Sequence, residues 1–281
     1  MMSQTFTILC PTDFSECSLN AIEYATKLGE KYQARLILFH VLNKADYLKL
    51  SPKDSSGALQ REFVNQKLQN LQKAVIQEAL TNGLASCEIQ VEEGNIVEET
   101  LSYATLMNAD LIVVGTEGVN DFKDTIIGSR ASSIVMNSDR DVLVIPRKVF
   151  FKAPRKLIYA TDYLEEDKLA IQKIVQFATF FNSEIDVVHV SASQKALDKS
   201  LHMTMVEEIK PFINYHKVNF VLKSFRDKLS LGLENYLQTS NGDMLITLSK
   251  KKSFFDQIFS ENLSKKMAYF INRPLWVIKS V

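Results

Sequence analysis

Three glycines and a serine carry the most distinctive chemistry this chain offers. Gly115, Gly118 and Gly128 are separated by two and nine residues, and Ser129 follows the last of them directly. No helical or strand period produces that spacing. Glycine is required where backbone passes close to a ligand or takes a positive φ. The segment opens on the apolar run 111–114, the pattern of a strand buried on both faces. After Ser129, apolar residues return at helical spacing, at Ala131, Ile134 and Val135. The last glycine therefore stands at a helix N-terminus, where free N–H groups and the positive end of the helix dipole suit a phosphate. The spacing is neither the dinucleotide fingerprint G-x-G-x-x-G nor the P-loop G-x-x-x-x-G-K-[ST], and no lysine precedes Ser129 to reach a terminal phosphate.

The pattern along the chain supplies the elements that must hold this loop. Phe6 to Cys10 reads as a short strand, with Pro11, Thr12 and Asp13 as the turn after it. Ser15 or Ser18 caps a helix that places Ala21, Ile22, Ala25 and Leu28 on one face, and Gly29 is expected to stop it. Residues 35–42 make a second strand. The polar stretch 43–60, with Pro52 and Gly57, reads as a long loop of the kind that lies over a site. A helix carrying Phe63, Leu68, Leu71 and Val75 inward, a strand from Cys87, a helix over 96–107, the strand 111–114, a helix after Ser129 and the strand 142–146 complete the unit. Strands alternating with helices predict right-handed crossovers and a parallel α/β sheet.

In such a sheet, ligands bind beyond the carboxyl ends of the strands, where the strand order reverses. A 3-2-1-4-5 order brings the Pro11-Thr12-Asp13 turn and the glycine loop together there. Backbone N–H groups near Gly118, Gly128, Ser129 and Arg130, with the Ser129 hydroxyl, would hold phosphates. Arg130 either neutralises phosphate charge or extends into solvent, and Asp13 has a helix-capping alternative. Glu117, inside the loop, is expected to face solvent.

The second half repeats the plan. An offset of 149 aligns Asp13 with Asp162, His40 with His189 and Val41 with Val190. Further along, an offset of 133 aligns Asp110 with Asp243, Arg140 with Arg273 and Val144 with Val277, so 16 residues are missing from the middle of the second copy. The join is the basic linker 147–156, which contains Pro154. Residues 1–148 and 154–281 are the two expected domains. The offset of 133 turns Gly115 into Leu248, Gly118 into Lys251, Gly128 into Glu261 and Ser129 into Asn262. The phosphate loop is gone from the second copy, so the repeated plan does not need it. His40 and His189 recur at equivalent strand positions, which favours packing, and the run 250–252 reads as a solvated loop.

The motif G-x2-G-x9-G-[ST] after the fourth strand resembles the ATP-binding motif of the universal stress protein (UspA) family, and the resemblance covers nearly the whole chain as two tandem domains. It implies two open five-stranded parallel sheets of order 3-2-1-4-5, flanked by helices and of Rossmann-like or adenine nucleotide alpha hydrolase-like type, paired as a pseudo-dimer through the strands 142–146 and 275–279. It further implies ATP, with Mg²⁺, as the ligand of the first domain, with Asp13 on the nucleoside or a bound metal and Val41 meeting the adenine through its backbone. Members with the glycine motif bind ATP and members without it do not. Two functional classes follow, a nucleotide-dependent stress-response sensor read by a protein partner, or an interaction scaffold with a vestigial site. Hydrolysis would be at most slow. No nucleophile, base and orienting group are legible as a set, and no catalytic residue is assigned.

Composition sets the outer bounds. The chain has 281 residues, 46% hydrophobic and 23% charged, with a formal net charge of zero. That removes a general electrostatic argument for nucleic acid or an anionic membrane surface as partner. Three cysteines, Cys10, Cys17 and Cys87, have no metal spacing and form no even disulfide framework, which points to a reducing cytosol. No run approaches the length needed to span a bilayer, and the start of the chain has no export pattern. Further association of pseudo-dimers is left open by the sequence.

Overall fold

The computed structural model describes residues 5–43, 57–116, 129–163, 165–191, 196–224, 229–250 and 273–280. They fall into two compact units that divide between Phe151 and Lys152. The first unit runs β1 (Thr7–Pro11), α1 (Glu16–Tyr32), β2 (Arg35–Leu42), α2 (Ala58–Ala79), β3 (Ser86–Glu93), α3 (Ile96–Leu106), β4 (Leu111–Thr116), α4 (Ser129–Asn137) and β5 (Asp141–Pro146). Its strands lie in the order β3-β2-β1-β4-β5, with every pairing parallel. The second runs β6 (Lys156–Ala160), α5 (Asp167–Phe181), β7 (Glu184–Ser191), α6 (Ala196–Ile209), β8 (Val218–Ser224), α7 (Leu229–Thr239), β9 (Met244–Ser249) and β10 (Leu275–Lys279). Its order is β8-β7-β6-β9-β10, again parallel throughout. Each unit thus has its first and fourth strands side by side at the centre, where the order reverses.

The central strands are unbroken apolar runs because helices cover both faces of a parallel sheet. Ile8, Leu9, Leu36, Leu38, Ile112 and Val113 are fully buried. In β3 only Cys87 and Val91 are buried, while Glu88 and Glu93 are exposed, as befits a strand at the sheet edge. Two aspartates fasten the strand entrances in the same way: Thr7 N–H donates to Asp110 Oδ2 at 2.7 Å, and Lys156 N–H donates to Asp243 Oδ2 at 3.0 Å. Cys10 and Cys87 are buried free thiols, and burial pushes Cys87 up to about 12 and Cys10 higher still, so neither is a thiolate at neutral pH.

Two expectations fail, each for a packing reason. Gly29 does not stop α1; the helix continues to Tyr32, and Gln33, at φ 51°, caps it with its N–H on Gly29 O. Gly29 packs under Leu84, whose Cδ1 would lie 2.6 Å from a Cβ at that position and would have to turn aside for one. In α2 the buried face is Val64, Leu68 and Ala79, whereas Phe63 is 53% exposed and Leu71 and Val75 are only half-buried. Of the four residues expected to point inward only Leu68 is fully buried, and Val64 rather than Phe63 is buried beside it. Most of the expected 43–60 loop lies outside the described residues, and its last residues begin α2.

Asn20, 6% exposed on α1, ties that helix to the chain leaving β5. Its Nδ2 donates to Val149 O at 2.9 Å and to Pro146 O at 3.2 Å. Asn20→Ala leaves those carbonyls short of a donor and is expected to cost about 1–3 kcal/mol in urea unfolding.

Candidate functional site

The site is built on the turn that follows β1. Thr12 N–H donates to Phe39 O at 2.8 Å, which continues the β1–β2 ladder one residue past the strand. The Thr12 hydroxyl accepts the Phe14 N–H at 3.0 Å and lies 3.0 Å from the Ser18 hydroxyl. Phe14 takes a left-handed backbone, φ 64°, which reverses the chain into α1. Ser15 is the N-cap, its hydroxyl accepting Ser18 N–H at 3.3 Å. Asp13 stands two residues earlier, with Oδ1 accepting the Ser15 N–H at 3.0 Å. Its carboxyl is exposed at the mouth of the site. Partial burial opposes its ionisation, but hydrogen bonds from Ser15 and Ser18 hold its pKa below the ordinary value.

His40, at the end of β2, closes the turn from the other side, its Nδ1 2.7 Å from Thr12 O. A carbonyl only accepts, so Nδ1 carries the proton. Burial, helped by the Lys67 charge, holds the imidazole below its ordinary pKa, so His40 is neutral at pH 7. The Phe14 ring packs on it at a centroid distance of 5.0 Å.

Gly115, near the end of β4, has a clear physical role. A Cβ there would lie 2.3 Å from Cys17 O and 2.6 Å from Cys17 C, both backbone atoms. Only glycine lets the β4 exit pass this close to the first turn of α1. The strand and the helix N-terminus thereby form one wall of a cavity of about 670 Å³, a size suited to a small ligand.

Pro11, Thr12, Asp13, Val41, Gly115 and Arg130 all line this cavity, so the structure brings six of the expected site residues together. Val41 is buried and Arg130 is exposed at the start of α4. Gly118 and Gly128 lie outside the described residues, as does the side chain of Ser129, whose backbone begins α4. Sequence reasoning missed Phe14, His40, Phe63 and Lys67, which also line the cavity. A signal for the first two was present in the repeat at an offset of 149, which pairs Phe14 with Tyr163 and His40 with His189.

The equivalent turn in the second unit keeps this framework and changes its charge. Thr161 O lies 2.8 Å from His189 Nδ1, Tyr163 N–H donates to Thr161 Oγ1 at 2.8 Å, and Tyr163 has φ 60°. Where the first unit has Ser18, the second has Asp167, 1% exposed. The Tyr159 and Thr161 hydroxyls both donate to its carboxylate. Asp162 Oδ2 is buried with no hydrogen-bond partner among the described residues. Burial and the neighbouring Asp167 push the Asp162 pKa up to about 7. Lys250, the one described member of the 250–252 run, pairs with Glu166. Among the described residues, no group of three or more His, Cys, Asp or Glu side chains could hold a metal ion. No helix among them is long and apolar enough to cross a membrane.

Comparison with known proteins agrees with this architecture. Residues 5–146 match the universal stress protein family. The chain therefore belongs to that family, and its second unit carries a second sheet of the same order. The universal stress protein MJ0531 of Methanocaldococcus jannaschii is 29% identical over 140 residues, half of this chain and 81% of that protein. A universal stress protein from Archaeoglobus fulgidus superposes over 98% of this chain and 99% of its own, with a TM-score of 0.75 at 18% identity. A functionally unknown protein from Pseudomonas aeruginosa superposes over 98% of this chain and 92% of its own, with a TM-score of 0.61 at 11% identity. At these identities the likeness to the two structures is one of fold.

The raised Asp162 pKa gives a sign to the pH dependence of stability. The folded chain keeps a proton that the unfolded chain releases at an ordinary value of 3.8, so stability falls as pH rises from about 4 to about 7. Asp162→Asn is expected to flatten that slope and to raise resistance to urea at pH 7.5, measured against the wild type at pH 5 and pH 7.5.

Proposed function

We propose that the first domain binds an adenine nucleotide, ATP with Mg²⁺, and that the protein acts as a nucleotide-dependent sensor in a stress response. The observation that carries the reading is the cavity at the carboxyl ends of β1 and β4, lined both by apolar side chains and by the first turns of α1 and α4. Val41 and Ile96 offer an apolar surface for a flat base. The first turns of α1 and α4, with Arg130, offer N–H groups and positive charge for phosphates. On this reading Pro11, Thr12, Asp13 and Val41 face the nucleoside, and Gly115, Gly118, Gly128, Ser129 and Arg130 serve the phosphate end. Among the described residues Asp13 is the acidic side chain that lines the cavity, which suits Mg²⁺ held mainly by ligand phosphates and supported by one carboxylate.

Confinement of nucleotide to residues 1–148 is part of the proposal. Asp167 supports it, because it places a fixed, hydrogen-bonded carboxylate at the N-terminus of α5, where the first domain has a neutral hydroxyl. That carboxylate already satisfies the helix dipole and repels an incoming phosphate. The same proposal places the protein in the cytosol, with a partner reading the surface that the nucleotide orders, and assigns no catalytic residue.

Mass spectrometry of ligand released on denaturing freshly purified protein, followed by calorimetric titration of ATP with Mg²⁺, tests the reading. About one adenine nucleotide per chain, rather than two, is expected if only the intact glycine loop binds. Valine at both Gly118 and Gly128 is expected to abolish that binding. No binding at millimolar ATP would leave the scaffold reading in its place.

A further inference from the structure

On α2, Gln60, Phe63, Val64 and Lys67 all line the cavity. Their spacing of three, four and seven residues places them on one face of the helix. Val64 is buried and anchors that face, while Phe63 and Lys67 are exposed beside it. The Lys67 ammonium sits 4.6 Å from the Phe63 ring centroid and 5.2 Å from that of Phe14. It is thus held over two aromatic faces at the cavity, one of them in the turn next to Asp13. Among the described residues, no carboxylate lies within ion-pairing distance of Lys67.

A cation placed against a ligand cavity and held by ring faces rather than by a carboxylate can be recruited by an incoming anion without first breaking an ion pair. Nothing in the packing of α2 requires the charge, since Val64 and Leu68 bury the helix. The charge also reaches His40, whose pKa is lowered chiefly by burial, with the Lys67 charge a smaller contribution in the same direction. Arg130 stands on a different element, at the start of α4, so the cavity is served by cations from two helices.

We propose that Lys67 is a specificity-determining residue of this site, which reads the phosphate charge of the ligand and separates nucleotides from nucleosides. This rests on the nucleotide reading of the cavity. Phe63 and Phe14 hold the ammonium in place before the ligand arrives. Binding moves it from the ring faces to phosphate oxygen, a charge-assisted hydrogen bond that adenosine cannot make.

The test is calorimetric titration of ATP and of adenosine, each with Mg²⁺, into the full chain and into Lys67→Met, with Lys67→Gln measured beside it. Methionine keeps the unbranched apolar stem and removes only the charge, and thermal unfolding checks that both variants are folded. ATP affinity is expected to fall about tenfold or more in both variants. Adenosine affinity is expected to stay within about twofold of the wild type. Unchanged ATP affinity, or an equal loss for ATP and adenosine, overturns the assignment of Lys67 and leaves the nucleotide reading standing. A wild-type chain that binds neither ligand overturns the nucleotide reading, and the role of Lys67 with it.

Discussion

The threonine one residue past the first strand of each repeat is the constraint on which the site depends. Thr12 uses its N–H to extend the sheet, its carbonyl to hold a histidine and its hydroxyl to catch the N–H two residues on. These bonds keep Phe14 in a left-handed conformation that a bulky side chain rarely adopts. The turn then delivers the N-terminus of α1 against the end of β4, where Gly115 leaves room for the Cys17 carbonyl. Strain at one residue is thereby offset by several hydrogen bonds around it, and the result is a cavity wall in a fixed place.

The same framework appears at Thr161, Tyr163 and His189 with nearly the same distances. It is therefore a device of the fold rather than of the ligand. What differs is charge. In the first unit the hydroxyl of Ser18 meets Thr12; in the second a buried carboxylate does. A buried carboxylate is tolerated only with donors, and Tyr159 and Thr161 supply them. The cost appears at Asp162, whose ionisation is opposed by burial and by the neighbouring Asp167. One repeat thus has a neutral hydroxyl at its helix terminus, and the other has a buried carboxylate at the equivalent position.

The periodicity of the sequence was enough to give the alternation of strands and helices and the parallel sheet, since unbroken apolar runs between amphipathic stretches allow few topologies; the 3-2-1-4-5 order came with the family resemblance, because the same alternation also fits other doubly wound orders. The repeat was legible because Asp13, His40 and Val41 recur at one offset. Of the six expected residues that line the cavity, Pro11, Thr12 and Gly115 were legible because they stand at strand ends on either side of the switch point, Arg130 because it follows the glycine motif, and Asp13 and Val41 through the family resemblance. Spacing in the chain could not give the phase of α2, because Phe63 and Val64 are both apolar and only contact with the sheet decides which one is buried. It could not give the neighbour of Gly29, because Leu84, whose side chain packs against it, lies 55 positions away.

Sequence by itself determined the family pattern, the repeat and the loss of the glycine motif from the second copy, because each is a matter of residue type and spacing along one chain. Tertiary structure alone decided that Gly115 accommodates a neighbouring backbone, that Lys67 rests on Phe14 and Phe63, and that Asp167 shares its carboxylate with Tyr159 and Thr161. These are contacts, many of them between residues far apart in sequence. Their energies depend on distances and on burial that no local pattern encodes.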